Sequence, residues 1–481
     1  MADVEPRPQI GVDEWVSSVE ARVERGYLAP VQERFRRVPL WGQLGPLVAV
    51  AAFIPLITQN GYYLQVSINT GLFVMLAVGL NVAVGWAGLL DLGYIAFYAF
   101  GAYGYALVAS GHTGLHWQAG WAIPAVVAAT ALLGFLLGLP SWRLTGDYLA
   151  IVTLFFVQIA LTVTNNGQRI LSHQLEGGLT RGPNGISDVD PLNLFGYHLT
   201  SLNQYFYFLL GAVLVVLAAL YFVNESRIGR AWRALREDPL AAELMSMPVD
   251  RLKLVAVAFG ASVAGLAGAI VSAEQGAVFP STLDLTVLIT LYAMVILGGA
   301  GSIGGVVVGA VTINLALEVL KSPSNASWIF YGLLALTLRA VVRPWSVRIA
   351  GSVVALTIGF GYAVHAIASA AWQDGVSGTT SGGTWIDHAV RHWALVPKDP
   401  TVPGRWAYVL LIGFVLALTV VRRSLRPFAV IPILYLGSCV WENVLVPQAA
   451  VTRYILLGAM LVAMMAARPQ GLLGKARVEI V

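Results

Sequence analysis

Two groups of residues in this 481-residue chain have types and spacings that chemistry could use. The first is a set of polar side chains inside, or at the ends of, long apolar runs. Asn81, Asp91 and Tyr94 flank a glycine-rich break, Gly146-Asp147 opens another run, and Gln158 lies deep within it. Polar groups are costly in hydrocarbon, so they usually face a cavity or a partner. Asp91 and Asp147 also fit a plainer role, as helix N-caps near an interface. The second group is the stretch from Ser226 to Met247, which is too polar to lie in a membrane. Asp238 followed by Pro239 reads as an N-cap and a first-turn proline. The stretch therefore divides into two short helices, roughly Arg227–Glu237 and Pro239–Met247. Arg227, Arg230 and Ala234 share a face of the first, with Arg233 and Glu237 beside it. Basic residues alone would suffice to touch anionic headgroups. A helix pair that also carries Trp232, Glu237 and Ala241-Ala242-Glu243 looks more like a docking surface.

The familiar catalytic patterns are absent. There is no G-x-x-x-x-G-K-[ST] phosphate loop, no HExxH, no Cys/His cluster and no G-x-S-x-G elbow. The seven histidines are scattered, so no metal and no cofactor is expected. Gly299-Ala-Gly301-Ser-Ile-Gly304 matches G-x-G-x-x-G, yet no strand precedes it and no βαβ unit surrounds it. Gly299, Gly301 and Gly304 read instead as a backbone break between two apolar helices at membrane depth. Such a break is tolerated where protein or a water-filled cavity covers the freed polar groups. Cys439, the one cysteine, sits among apolar neighbours and reads as a buried core thiol.

Composition supplies the elements that must position these residues. The chain is 57% apolar and 11% charged. Soluble domains carry about 25% charged residues, so this surface cannot face water throughout. Disorder needs low hydrophobicity and is excluded as well. What remains is an all-α polytopic bundle. Apolar runs from Leu44–Asn60 to Ala450–Ala467 give about fourteen spans, with Asp284–Gly299 and Trp328–Val342 short enough to be half-helices. Arg34, Arg36 and Arg37 precede the first run, which puts the N-terminus in the cytoplasm. Arg143, Arg227–Arg236, Arg343, Arg348, Arg422–Arg426 and Arg468–Arg477 then also fall inside. The loops around His112, Ser187, Pro280 and Gly382 fall outside and are poorer in cations. An even number of crossings follows, with the C-terminus cytoplasmic too. The net charge of +4 is too small to argue for nucleic acid. No secretory signal is visible in the charged first forty residues. Trp15, Val19 and Val23 fit either an amphipathic surface helix or a loosely ordered tail. Gly134 with Gly138, and Gly260, Ala264 and Gly268 beside Ala261, Gly265 and Ala269, are small-residue stripes that let helices approach closely.

The residues around these features resemble a known family. The runs Gly79–Tyr98, Gly146–Leu154, Ser226–Met247, Met294–Gly304 and Arg468–Gly474 occur in the order found in LivM-type permease subunits of branched-chain amino acid ABC importers. The resemblance runs from about Tyr63 to Leu320 and resumes from Arg453 to Gly474. It implies a second, LivH-type permease subunit, two ABC ATPase subunits that hydrolyse the ATP, and an extracytoplasmic solute-binding protein. It implies a multi-pass place in the bacterial inner membrane. It makes Ser226–Met247 the ATPase-coupling loop, with Arg227, Gly229, Arg230, Arg233, Arg236, Glu237, Asp238, Pro239, Ala241 and Ala242 as its contact residues. The family usually has glycine where this chain has Ser246.

The resemblance also divides the chain. Residues 1–43 form an N-terminal extension, 44–321 the permease core, 322–452 an insertion, and 453–481 the final family-type helix and cytoplasmic tail. Within the insertion, Ile329–Trp345 imitates the family ending, because Gly332 precedes Arg343-Pro344 much as Gly458 precedes Arg468-Pro469. Its outer loop, Asp374–Arg405, carries Trp385, Ala389 and Trp393, which fit either a surface-lying helix or a solvated linker. The reading for the whole is a permease driven by ATP-powered alternating access, with Asn81, Asp91, Tyr94, Asp147 and Gln158 on the substrate pathway. Half-helix ends would suit a zwitterionic amino acid. Urea or short amides are the alternative substrates, and an ion-coupled secondary transporter is the alternative class. A membrane enzyme ranks below both, for want of a catalytic constellation.

Overall fold

Small residues decide which helices lie closest. The structure is a computed structural model that describes residues 40–58, 60–141, 147–170, 175, 177–194, 196–282, 284–322, 325–332, 347–378, 391–420, 426–445, 448, 452–455, 457–459, 461–462 and 471–473. Residues 1–315 with 461–481 form one compact unit, and residues 316–460 form another.

The first unit contains α1 (Leu40–Ile57), α2 (Gly61–Asn81), α3 (Tyr94–Val108), α4 (Ala119–Ser141), α5 (Asp147–Asn166), α6 (Leu202–Glu225), α7 (Arg227–Glu237), α8 (Pro239–Leu244), α9 (Val249–Gln275) and α10 (Leu285–Gly298). It also holds most of α11 (Ile303–Val319). α9 is the axis and packs on both α3 and α4. Gly101 of α3 lies against the backbone of Gly265, and Gly268 lies against that of Tyr98. A Cβ added at Gly265 would stand 2.6 Å from Thr130 Oγ1, and one at Gly134 would stand 2.5 Å from the Ala261 methyl. The stripes are thus the contact surfaces of these helices, where dispersion replaces the absent hydrophobic drive between helices in lipid.

Polar caps mark where the apolar helices begin. Asn60 Oδ1 accepts from Tyr62 N at 3.0 Å at the start of α2, and Asp284 Oδ1 accepts from Thr286 N at 3.1 Å at the start of α10. Ser201 and Gln204 form a reciprocal capping box on α6. α2 does not end cleanly but widens into a π-turn at Val82–Trp86.

Chain segments meet alternately at two ends. At one end lie Trp86, which donates to Gly301 O, and Arg236, which donates to Ala300 O. At the other, Ile186 and Ser187 (β1) pair antiparallel with Val278 and Ala277 (β4), and Ser110 bridges Val189. Asn193–Leu194 (β2) pairs with Tyr197–His198 (β3). These two-residue ladders qualify the all-α expectation. Loop backbone near a membrane surface needs partners, and short ladders supply them.

The second unit holds a short helix at residues 325–332, α12 (Val347–Ala371), α13 (Thr401–Val420) and α14 (Arg426–Val440), which continues as a π-turn at Trp441–Leu445. α14 packs on α12 and α13. Trp441 is fully buried, stacks on Phe330 at 4.3 Å and donates Nε1–H to Ser327 Oγ at 3.1 Å. Cys439 is buried beside Tyr435, as its apolar neighbours suggested.

Among the described residues, six helices are long and apolar enough to cross a membrane, and six shorter apolar helices accompany them. The chain is therefore a helical, multi-pass membrane protein. The amphipathic segment around Trp15, the cations Arg34, Arg36, Arg37, Arg143, Arg343 and Arg422, the segment around Trp385 and Ala389, and the Arg468-Pro469 pair lie outside the described residues. So do the side chains of Asp147, Arg348 and Arg426.

The turn from α8 into α9 is tight. α8 stops at Leu244, earlier than the expected Met247, and Ser246 takes a left-handed φ of 61°. Met247 N reaches back to Ala242 O at 3.1 Å. The left-handed region costs an L-residue roughly 1–2 kcal/mol, which glycine avoids. Ser246→Gly is therefore expected to stabilise the folded protein by roughly 1 kcal/mol, read as a higher unfolding midpoint in detergent. Gly265→Leu should cost about 1–3 kcal/mol or more through overpacking and deplete folded protein on size exclusion. Gly211→Leu, in open space on α6, should leave the yield intact.

Candidate functional site

Helix α7 has two faces of different character. Gly229, Trp232 and Leu235 are buried, and Arg233 and Arg236 are half-buried. Trp232 Nε1–H donates to Leu252 O at 2.8 Å, which fastens α7 to the start of α9. Arg233 Nη1 donates to Asn224 Oδ1 at 2.6 Å, and Arg230 Nη1 donates to Glu225 O at 2.8 Å, which fastens it to the end of α6. Ser226 caps the helix by accepting from Gly229 N. The predicted cap of α8 is present, with Asp238 Oδ1 accepting from Leu240 N at 2.9 Å and Ala241 N at 3.0 Å.

The opposite face is open. Arg227, Arg230, Glu237, Asp238, Pro239 and Ala241 are exposed there, whereas Ala242 is buried. Three large apolar side chains stand among them: Leu240 is 72% exposed, Leu244 85% and Met245 75%. Sequence reasoning passed over these three. The signal was present in the i, i+4 spacing of Leu240 and Leu244 within an otherwise polar stretch. Apolar side chains held so far out on a short, capped helix form a surface suited to a cleft in another protein.

The glycine break is the second part of the site. Gly299 and Gly301 have φ of 104° and 94°, values that a residue with a Cβ rarely adopts. Gly304 differs from expectation. It lies in the first turn of α11, so the break covers Gly299 to Ser302. The break joins α10 to α11 at the bundle end beside α7. The polar groups it frees are taken up by distant residues. Gly301 N donates to Asn81 Oδ1 at 2.8 Å, and Trp86 Nε1–H donates to Gly301 O at 3.0 Å. Arg236 Nη1 donates to Ala300 O at 3.3 Å and also to Gly85 O. Leu472 N and Leu473 N donate to Leu297 O at 2.7 Å and Gly298 O at 3.1 Å, covering the last carbonyls of α10.

The proposed pathway residues separate. Asn81, 1% exposed, serves the break. Asp91 is buried, and its Oδ1 accepts from Gly93 N at 2.8 Å while Tyr292 OH donates to its carbonyl at 2.7 Å. That is close to the plainer capping role, although Gly93 itself occupies the N-cap of α3. Tyr94 is wholly buried beside Gly79, and its hydroxyl has no hydrogen-bond partner among the described residues. The void beside Asp91 is about 10 Å³, room for one water at most. Gln158 lies on the exposed face of α5, away from the others, and Asp147 opens that helix. A larger cavity of about 250 Å³ lies between α1, α2, α6 and α11, lined by Leu47, Ile54, Gly71, Phe206, Leu209 and Val307 among others. Its two hydroxyls, Ser67 and Thr70, donate to their own helix at Tyr63 O and Val66 O. None of the five pathway residues lines it. Among the described residues, no cluster of His, Cys, Asp or Glu could hold a metal ion.

Residues 62–342 match the family model for the permease component of the branched-chain amino acid transport system. The high-affinity branched-chain amino acid transport system permease protein LivM of Salmonella typhimurium is 34% identical over 321 residues, which cover 62% of this chain and 72% of that protein. The LivM protein of Escherichia coli matches to the same extent. The E. coli permease protein LivH is 25% identical over 284 residues, 54% of this chain and 86% of its own length. No solved structure matches the chain. The chain belongs to the family of permease components of branched-chain amino acid transport systems.

Proposed function

We propose that this chain is the LivM-type half of the translocation pathway in an ATP-driven importer of branched-chain amino acids. The observation that carries the reading is the exposed face of Ser226–Met247, where Leu240, Leu244 and Met245 stand beside Arg227, Arg230 and Glu237. An apolar knob with a charged rim, fixed to α6 and α9 through α7 by three hydrogen bonds, is built to seat in another protein's cleft and to carry that protein's movement. The occupant we assign is an ABC ATPase subunit, one of two. Similarity to both LivM and LivH supports a paired permease, with an extracytoplasmic binding protein delivering substrate. The substrate class follows the relatives' names, and the chain acts as a transporter while its partners hydrolyse ATP.

About fourteen crossings with both termini cytoplasmic remain our topology, in the bacterial inner membrane. Its support is the alternation of chain ends: residues 86, 236 and 301 gather at one end, and 110, 189 and 278 at the other. Positive-inside charge places the first group in the cytoplasm. We place an added bundle at residues 322–452. Residues 316–460 cluster as a compact unit, and the 471–473 turn bonds back to α10. The family match runs to residue 342, so the opening of that bundle carries family-like sequence as well. We keep Asp91, Tyr94 and Gln158 as residues that a partner subunit would complete into a pathway.

The complete complex in proteoliposomes tests the reading. Leu240→Asp with Leu244→Asp, or Arg230→Glu with Glu237→Arg, should abolish co-purification of the ATPase subunits and lower leucine uptake at least tenfold. Membrane insertion should be unaffected. Uptake that survives either pair rejects the docking assignment. Isoleucine and valine should compete with leucine, and competition by urea instead would move the substrate to the amide class. Uptake by the permease alone, driven by an ion gradient, would favour a secondary transporter.

A further inference from the structure

Arg236 differs from the other cations of its helix. Arg227 and Arg230 are exposed, and Arg233 holds the end of α6, whereas Arg236 points inward to backbone that two helix interruptions have set free. Its guanidinium donates to Gly85 O, in the π-turn that ends α2, and to Ala300 O, in the break between α10 and α11. Those two segments are also tied directly to one another, by Gly301 N to Asn81 Oδ1 and by Trp86 Nε1 to Gly301 O. Trp86 then stacks on Trp232 of α7, ring centroids 6.2 Å apart and planes 24° from parallel. Three elements remote in sequence thus close a cycle: α7 to the end of α2, the end of α2 to the break, and the break to α7.

The chemistry of the cycle makes it stiff. Charge-assisted bonds to carbonyls are roughly twice as strong as neutral ones. A planar guanidinium can reach two carbonyls at once with fixed geometry, which an ammonium group on a flexible stem does not reproduce. The fit is close on every side. A Cβ at Gly301 would stand 2.6 Å from Arg236 Nη1, and one at Gly88 would stand 3.1 Å from Arg236 Cγ. α7 therefore cannot shift far without either moving both helix ends or giving up its bonds to Gly85 O and Ala300 O.

We propose that Arg236 is a positioning residue that transmits displacement of the 226–247 loop to the ends of α2 and α10. The proposal rests on reading that loop as the ATPase dock. It assigns Arg236 to the inside of the permease and leaves docking to Leu240, Leu244 and the exposed charges.

The test uses the complete importer, with both permeases, the ATPases and the binding protein, in proteoliposomes with leucine as substrate. Arg236→Gln is expected to co-purify with the ATPase subunits. Stimulation of ATP hydrolysis by leucine-loaded binding protein should fall at least tenfold, and leucine uptake with it. Arg236→Lys should restore less than half of either. Trp86→Phe, which removes the Nε1–H donor and part of the ring stacked on Trp232, should lower uptake by two- to fivefold. Wild-type stimulation and uptake in assembled Arg236→Gln would overturn the proposal. So would loss of the ATPase subunits from both Arg236 variants, since that would make Arg236 part of the dock. Should Arg236→Gln fail to accumulate, Arg236→Lys and Trp86→Phe decide, and wild-type uptake in both rejects the junction. Failure of the docking reading is seen separately, as ATPase subunits retained by the Leu240/Leu244 variant.

Discussion

Backbone that leaves a helix at the membrane must find its hydrogen bonds in protein. The first unit is arranged around that constraint at Gly299–Ser302. A break there frees carbonyls and amides, and an unsatisfied group in hydrocarbon costs several kcal/mol. Asn81, Trp86, Arg236 and the turn at Gly471–Leu473 each supply a partner. Because these come from three separate stretches of chain, satisfying one interruption fixes the relative positions of α2, α7, α10 and the 471–473 turn.

The same logic explains why the loop beside the break has two kinds of surface. A helix of eleven residues has little intrinsic stability in water. α7 is held by its inner face, with Trp232 and Arg233 bonded to neighbouring helices and Ser226 at its cap. Its rigidity comes from the permease, so its outer face can be given over to recognition. α8, six residues long, borrows its order from the Asp238-Pro239 start and presents Leu240 and Leu244 outward. A flexible loop with the same residues would still have conformational entropy to lose in any contact, which this one has already surrendered.

Much of this was legible beforehand, for identifiable reasons. Caps and proline carry local information, so Asp238-Pro239 divided the loop correctly and Arg227–Glu237 emerged as a helix with those bounds. Small-residue stripes also read well, since Gly134, Gly265 and Gly268 admit neighbours where larger residues would collide. The partners of the break were not legible. Asn81 and Gly301 are 220 positions apart, and nothing local in either announces the other. Asn81 in an apolar run looked like a pathway residue because the cost of burying an amide is the same whether a substrate or a backbone amide satisfies it. The depth of Gln158 in its run was clear, but which face of α5 lies outward depends on packing and was not. The exposed trio Leu240, Leu244 and Met245 escaped notice because apolar residues in a polar stretch are by default assigned to a core.

The turn at Gly471–Leu473 sets an order of events during synthesis. Its amides cover the carbonyls of Leu297 and Gly298, but the ribosome delivers them only after the whole of residues 316–460 has emerged. Chains fold from the N-terminal side as they are made. Until that turn arrives, the end of α10 carries uncovered carbonyls, and the permease unit waits unfinished while the second unit is threaded into the membrane. The length of residues 316–460 therefore sets how long the end of α10 stands without those amides while the chain is being made.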